Sequence, residues 1–246
     1  MRLYRQGRLE LAPTASFSLL DEYRRTILFG ARLNYNFTDW IALGVWGADG
    51  VISSNTTLAT EIDNPITGAP RDALTANNVN HANSPDGGYR PFTNQTAKLN
   101  WVVAPQLTFI PFRGKLAIFN KIFVDADFYI AAGGAIVGIQ ERGDCGGGGQ
   151  PVCSNPASFA LASKTKIAPT GSVGFTFYPG DWFSIGVEYR ALPFSWNRAG
   201  FDSRGTGTNG NFPDGAVNSH DETFRFNQLV TISVGFSFPL KPKISE

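Results

Sequence analysis

Residues 222–238 carry the pattern that most narrows the choice of fold. Even positions read Phe224, Phe226, Gln228, Val230, Ile232, Val234, Phe236 and Phe238; odd positions read Thr223, Arg225, Asn227, Leu229, Thr231, Ser233, Gly235 and Ser237. Period-2 alternation marks a β-strand with two unlike faces. Strands of soluble domains average about 5–6 residues, whereas a tilted crossing of a bilayer takes about 9–11. The segment is long enough to be one stave of a membrane barrel, provided the rest of the chain supplies the others.

The chain has 246 residues, enough for one barrel or for one to two soluble domains. A net charge of +1 gives no reason to expect a nucleic acid or other polyanion as partner. No window approaches the ~18 uninterrupted apolar residues of a transmembrane helix. The mean hydropathy of −0.11 does not count against a membrane barrel, whose alternating strands average to near neutrality. The chain enters its first strand without an apolar signal segment, so residue 1 is read as the start of a mature or trimmed chain.

Seven further alternating segments precede the last. They are read at 7–17, 24–37, 40–52, 98–112, 122–140, 164–178 and 182–192. Thr38-Asp39 and Pro179-Gly180-Asp181 are tight turns between them. The connection 111–121 is expected to be a short helical or irregular turn, and the small residues 131–135 to mark a bend or bulge. Residues 53–97, 141–163 and 193–221 are long, polar and aperiodic.

Three regularities favour an eight-stranded antiparallel up-and-down transmembrane barrel, with short periplasmic turns and long extracellular loops. Connections after the second, fourth and sixth strands are short and those after the third, fifth and seventh long, the first outer loop being the one short exception, which places both termini on the periplasmic side, with residues 1–238 as the barrel and 239–246 as a tail. Aromatics gather at the short-turn ends as a girdle of Phe37, Trp40, Phe109, Phe177, Trp182, Phe183, Phe236 and Phe238. Charges fall on the face opposite the apolar residues, giving an expected luminal network of Arg8, Glu10, Arg32, Lys98, Asp125, Asp127, Lys166, Glu188, Arg190 and Arg225. On a lipid face an Arg or Lys at mid-membrane would cost roughly 2–4 kcal/mol. A soluble lipocalin-like barrel or β-sandwich shows the same alternation with the faces reversed. An eight-stranded lumen is only just filled by ordinary side chains, however, and would not hold this many Phe and Trp.

The segments Gln6-Gly7-Arg8-Leu9-Glu10-Leu11-Ala12-Pro13, Leu33-Asn34-Tyr35-Asn36-Phe37-Thr38-Asp39-Trp40 and Gly114-Lys115-Leu116 with Phe119-Asn120-Lys121 resemble an outer-membrane β-barrel family of myxobacteria and related deltaproteobacteria. The resemblance spans most strands and omits the long loops. It implies a small exported barrel in the outer membrane of a Gram-negative cell. Some similar barrels belong to a gliding-motility and secretion apparatus. The closing strand of such a barrel commonly ends the chain on an aromatic, whereas here residues 239–246 continue past Phe238.

Cys145 and Cys153 lie in one Gly-rich outer loop and are expected to form a disulfide in an oxidising exterior. Their spacing does not suit a metal, and the two histidines, His81 and His220, lie in other loops. Residues 146–149 lack the Lys-Ser/Thr and the strand-to-helix context of a phosphate loop. No cofactor or metal is expected. A catalytic pairing of His220 with Asp221 or Glu222 is the weakest reading, because loop histidines are usually solvated. The expected role is that of a non-enzymatic structural or adaptor component of an envelope complex, its lumen closed by ion pairs. Its partners would be outer-membrane lipid and proteins of that complex. The alternative is a narrow or gated porin-like channel.

Overall fold

A computed structural model describes residues 5–62, 92–118, 122–153, 156–180, 182–204 and 214–239. Eight strands close into one antiparallel ring in sequence order. They are β1 (Leu9–Leu19), β2 (Arg24–Asn36), β3 (Ile41–Asn55), β4 (Lys98–Ile118), β5 (Ile122–Arg142), β6 (Leu161–Tyr178), β7 (Phe183–Trp196) and β8 (Thr223–Phe238). β8 closes the ring on β1 through pairs such as Leu9↔Phe238 and Leu19↔Gln228. A short α-helix, α1 (Thr57–Ile62), follows β3, and among the described residues no helix is long and apolar enough to cross a membrane.

The orientation of the faces follows from burial. Leu11, Phe29, Leu43, Leu107, Ile130, Phe175, Val187 and Ile232 point outward and are exposed, while Arg8, Glu10, Arg32, Glu188 and Arg190 point inward and are buried. So much contiguous apolar surface cannot face water in a stable monomer. With a fully paired ring and a greasy exterior, the chain is a transmembrane β-barrel whose outer surface meets lipid.

The three long connections, after β3, β5 and β7, leave from one end of the barrel, here the loop end, together with the short β1–β2 turn; the connections after β2, β4 and β6 and both described chain ends lie at the other, the turn end. At the turn end the Thr38 hydroxyl accepts from the Trp40 and Ile41 amides at 3.2 and 3.1 Å, and Phe37 N donates to Ile41 O at 3.1 Å. The expected girdle residues lie here. Phe37, Trp40, Phe109, Trp182 and Phe238 are exposed, and Phe177, Phe183 and Phe236 are half-buried. Trp182 stacks on Phe236, and Phe183 lies against both.

Three expectations are corrected. The connection 111–121 is not an irregular turn: β4 and β5 pair on through Arg113↔Asp127, Lys115↔Asp125 and Ile118↔Ile122. This hairpin overshoots the ring, because β4 pairs with β3 only as far as Ile41↔Phe109 and β5 with β6 only as far as Asp125↔Tyr178. Secondly, residues 131–135 run through in register on β6, and the irregularities in the β4–β5 ladder lie between Leu99 and Trp101 and between Phe109 and Phe112. Each adds a residue to β4 and reverses its phase. Lastly, several strands run past their expected loop ends, β3 to Asn55 and β7 to Trp196 among them.

Candidate functional site

The candidate site is the bore of the barrel and the loop cap above it. An eight-stranded ring leaves space for side chains and little else. Here that space divides into two tiers.

The tier toward the turn end is ionic. Glu188 on β7 is its centre. Its Oε2 accepts from Arg32 Nη1 at 2.9 Å and from the Tyr129 hydroxyl at 2.8 Å, and its Oε1 accepts from Arg190 Nε and Nη2 at 2.9 and 2.6 Å. Arg190 also donates to Gln106 Oε1 at 2.6 Å and to Thr170 Oγ1 at 3.2 Å, and its guanidinium lies 4.5 Å from the centre of the Trp46 ring. Arg32 reaches Glu10 at 3.7 Å. Buried charges are tolerable only when paired and hydrogen-bonded, and each link here joins different strands or locks neighbours on one. Space for the cluster comes from Gly174, directly opposite Tyr129: a Cβ there would come within 2.5 Å of the Tyr129 ring.

Closer to the turn end, Arg5 pairs with Asp127 and lies over the Tyr178 ring. Arg113 lies 3.9 Å from Asp127 and 3.7 Å from Asp39. Buried Arg8 donates to Pro239 O at 3.1 Å, tying the start of the chain to the end of β8.

The tier toward the loop end is apolar. Leu28, Trp46, Leu99, Val102, Val137, Ile139, Leu192, Phe194, Trp196 and Leu229 form one buried cluster. Above it the loops converge on Arg142, the last residue of β5. Its guanidinium donates to Ser158 O at 3.0 Å, Gly200 O at 2.9 Å and Cys153 O at 2.8 Å. Ala97 N donates to Arg198 O at 2.9 Å, and Phe92 stacks on Phe201. The Cys145–Cys153 disulfide is formed, and Cys145 is bridged to Val217 across the cap.

Of the ten expected luminal charges, the bore holds Arg8, Glu10, Arg32, Asp127, Glu188 and Arg190. Asp125 is half-buried at the turn end, opposite Lys115 and Tyr178. Lys166 belongs to the cap margin, where it meets Glu222 at 2.6 Å. Two are corrected. Lys98 does not point into the bore: the bulge between Leu99 and Trp101 turns Leu99 inward and leaves Lys98 on the outer face beside Gln140. Arg225 has the inward phase but lies above the bore, exposed, 3.8 Å from Glu22.

Alternation sets Gln106 and Tyr129 on the polar faces of their strands, but being uncharged they were not counted in the network, and Arg5 and Arg142 were not anticipated. Arg5 precedes the first strand and Arg142 follows the expected end of the fifth, so no strand phase pointed to either. Among the catalytic candidates, His81 lies outside the described residues. The Asp221 carboxylate accepts backbone amides of Ser203, Arg204 and Asn218 at 2.7–3.0 Å, which is a capping role. Glu222 is engaged by Lys166, and His220 is exposed beside Asn218.

No protein-family model matches the chain, and no curated protein does. Solved structures that align with it include the N-terminal β-barrel domain of Pseudomonas aeruginosa OprF, with 11% identity over 95% of this chain and 98% of that one and a TM-score of 0.46. The outer membrane protein OprG from Pseudomonas aeruginosa aligns with 10% identity over 95% and 97%, at a TM-score of 0.39. Neisserial surface protein A (NspA) aligns with 11% identity over 94% and 93%, at a TM-score of 0.37. At this distance the likeness does not reach what any of them does, and none of these proteins bears on the myxobacterial resemblance.

Proposed function

We propose that the chain is a non-enzymatic barrel of the Gram-negative outer membrane that serves as a scaffold for an envelope complex. The turn end and both termini face the periplasm, and the loop cap faces outward. The observation that carries this reading is the filled bore: ions at one level, hydrocarbon at the next, and a hydrogen-bonded cap above. A bore so occupied leaves the protein's outer surfaces as its working parts, and binding concentrates on loops and projections held by a rigid frame. On the periplasmic side the projection is the β4–β5 hairpin, whose outermost rungs have no neighbouring strand on either side. Membership of a gliding-motility or secretion apparatus rests on the sequence resemblance alone.

Reconstitution into planar bilayers tests the closed bore. The expected result is a membrane with no steady single-channel steps; reproducible steps would establish the porin-like alternative. The scaffold role is tested by co-purification from native membranes. Proteins retained by the intact chain are expected to be lost when 114–123 is replaced by a two-residue turn, with barrel folding unchanged.

A further inference from the structure

The longest unzipped stretch of the ring lies between β6 and β7. β6 and β7 pair from Phe177↔Ile185 up to Gly171↔Ala191, and there the ladder stops. Both strands continue. β6 runs on to Leu161 bonded to β5, and β7 runs on to Trp196 bonded to β8. The register would set residues 192–196 opposite 170–166, and no rung forms between them.

The sequence explains the stop. Continued by two residues, the register places Pro169 opposite Pro193. Neither has an N–H to give, so a pair that would exchange hydrogen bonds loses its donors on both sides, and the rings crowd the approach. The result is a window in the wall. Its lower edge is the Gly171↔Ala191 pair, where Thr170 Oγ1 still donates to Ala191 O at 3.2 Å. Its upper edge is the Lys166–Glu222 ion pair, which links β6 to the start of β8 in place of the missing ladder.

Position and lining indicate what the window would take. Counting up from Tyr178 and Phe183, the two prolines are about ten residues from the turn end, which is the length of one bilayer crossing. The window therefore opens at the outer boundary of the hydrocarbon. Ile167 on its outer lip is 84% exposed. Behind it is the apolar tier and not the ionic one: Ala168, Leu192, Phe194 and Trp196 face inward here. The buried Trp196 indole N–H has no hydrogen-bond partner among the described residues. Rungs are also missing at Ala12 and Pro13 on the β1–β8 seam and at 50–52 on the β3–β4 seam, but the stretch between 166–170 and 192–196 is longer, and there the wall parts without losing a rung.

We infer that this window is a lateral binding site for a single alkyl chain with a polar head, the chain entering from the membrane to lie against Leu192 and Phe194. The unpaired backbone edges and the indole N–H receive the polar head, which hydrocarbon alone could not satisfy. The site lets a ligand in from the bilayer without opening a path along the bore, so it is compatible with a barrel that does not conduct.

Photolabelling of the full chain in nanodiscs tests the site. One arm uses a diazirine-bearing fatty acid, and the other a lysophospholipid with the diazirine in its chain. Crosslinks are mapped by mass spectrometry. Label is expected on inward Leu192 and Phe194 as well as on lipid-facing Phe175 and Val187, and the arm that labels the inward pair identifies the source of the chain. Label on the outer pair alone, in both arms, overturns the site. The P169T/P193V variant restores both donors and is expected to zip the window, cutting inward label at least tenfold with outward label unchanged. Inward label at the original level would overturn the inference. Lys166→Gln, which loosens the upper edge and leaves the ladder alone, is expected to raise inward label severalfold, and it serves should the proline variant not fold.

Discussion

Toward the turn end, Glu188 binds Arg32, Arg190 and Tyr129 in one buried cluster; toward the loop end, Leu28, Val102, Val137 and Leu192 fill the same bore with hydrocarbon. Both tiers exclude water, but they differ in what they specify. Hydrocarbon packing tolerates many arrangements of similar volume. The ionic tier tolerates few, because Arg32, Gln106, Tyr129, Glu188 and Arg190 come from four different strands and must meet in one geometry. The lower bore fixes strand register around the ring. The upper bore can deform, and the unzipped stretch between β6 and β7 lies beside it.

The largest effect that would sharpen this contrast comes from Glu188→Ala. It strands Arg32 and Arg190 in a dry interior, and removing one partner of a buried ion pair costs roughly 3–5 kcal/mol. Urea unfolding in micelles should show that loss. Replacing Arg32, Glu188 and Arg190 together by Met, with Glu10→Gln because Glu10 pairs with Arg32, should recover most of it, since the charges of the cluster are then removed together. If Glu188→Ala unfolds like the parent, the lower bore is not held by this cluster. Next comes Leu229→Ala in the upper tier, where Leu229 is 1% exposed. A buried Leu→Ala change costs about 2–5 kcal/mol depending on how far the site collapses. The lower part of that range is expected, because the deformable tier can close over the space. A loss at the top of the range would mean that the two tiers are equally rigid.

The cap provides a third, smaller test. Cys145 and Cys153 are separated by 8 positions, and closing so short a loop stabilises by about 2.5 kcal/mol in the chain-entropy picture. The C145S/C153S variant should lose protection from hydrogen exchange at the Cys145–Val217 bridge. Amides of both bore tiers should exchange as before. Loss of protection inside the bore would show that cap and barrel fold as one unit.

The ring and its two faces were legible because alternation persists wherever one face meets lipid: Ile27, Phe29, Ala31 and Leu33 announce their side without help. What was lost had particular causes. Lys98 was placed in the lumen because a bulge adds a residue between Leu99 and Trp101, and a bulge leaves no mark in an alternating string. The β4–β5 hairpin was obscured by Pro111 and Gly114, which read as punctuation although the strand continues to Ile118. The apolar tier was hidden by its own composition. Where lumen and lipid face are both greasy, as in Val102-Val103 or Ile136-Val137, alternation disappears and the inward member cannot be told from the outward one. Those double-apolar stretches were the available signal for an upper bore unlike the lower. The pairing partners within the ionic tier were not legible at all, since phase gives the face and says nothing of which strands lie across the bore.

The smallest expected effect concerns the rim, where charge is neither fully dry nor free in water. Asp21, in the turn between β1 and β2, lies 3.6 Å from Arg198 beyond the end of β7. Burial raises the Asp21 carboxyl above its ordinary value, only partly opposed by the Ser18 hydrogen bond and by Arg198, and burial likewise lowers Arg198. A carboxyl raised by folding favours the folded state most when it is protonated. Its contribution is complete below the ordinary carboxylate pKa and is lost as pH rises through the raised value. The native protein should therefore gain stability relative to Asp21→Asn as pH falls through the carboxylate range, the reverse of a well-solvated salt bridge. Thermal unfolding of both proteins in micelles across that range reads the difference. A gain on raising the pH would show instead that Arg198 dominates, and that the rim pair works as the luminal pairs do.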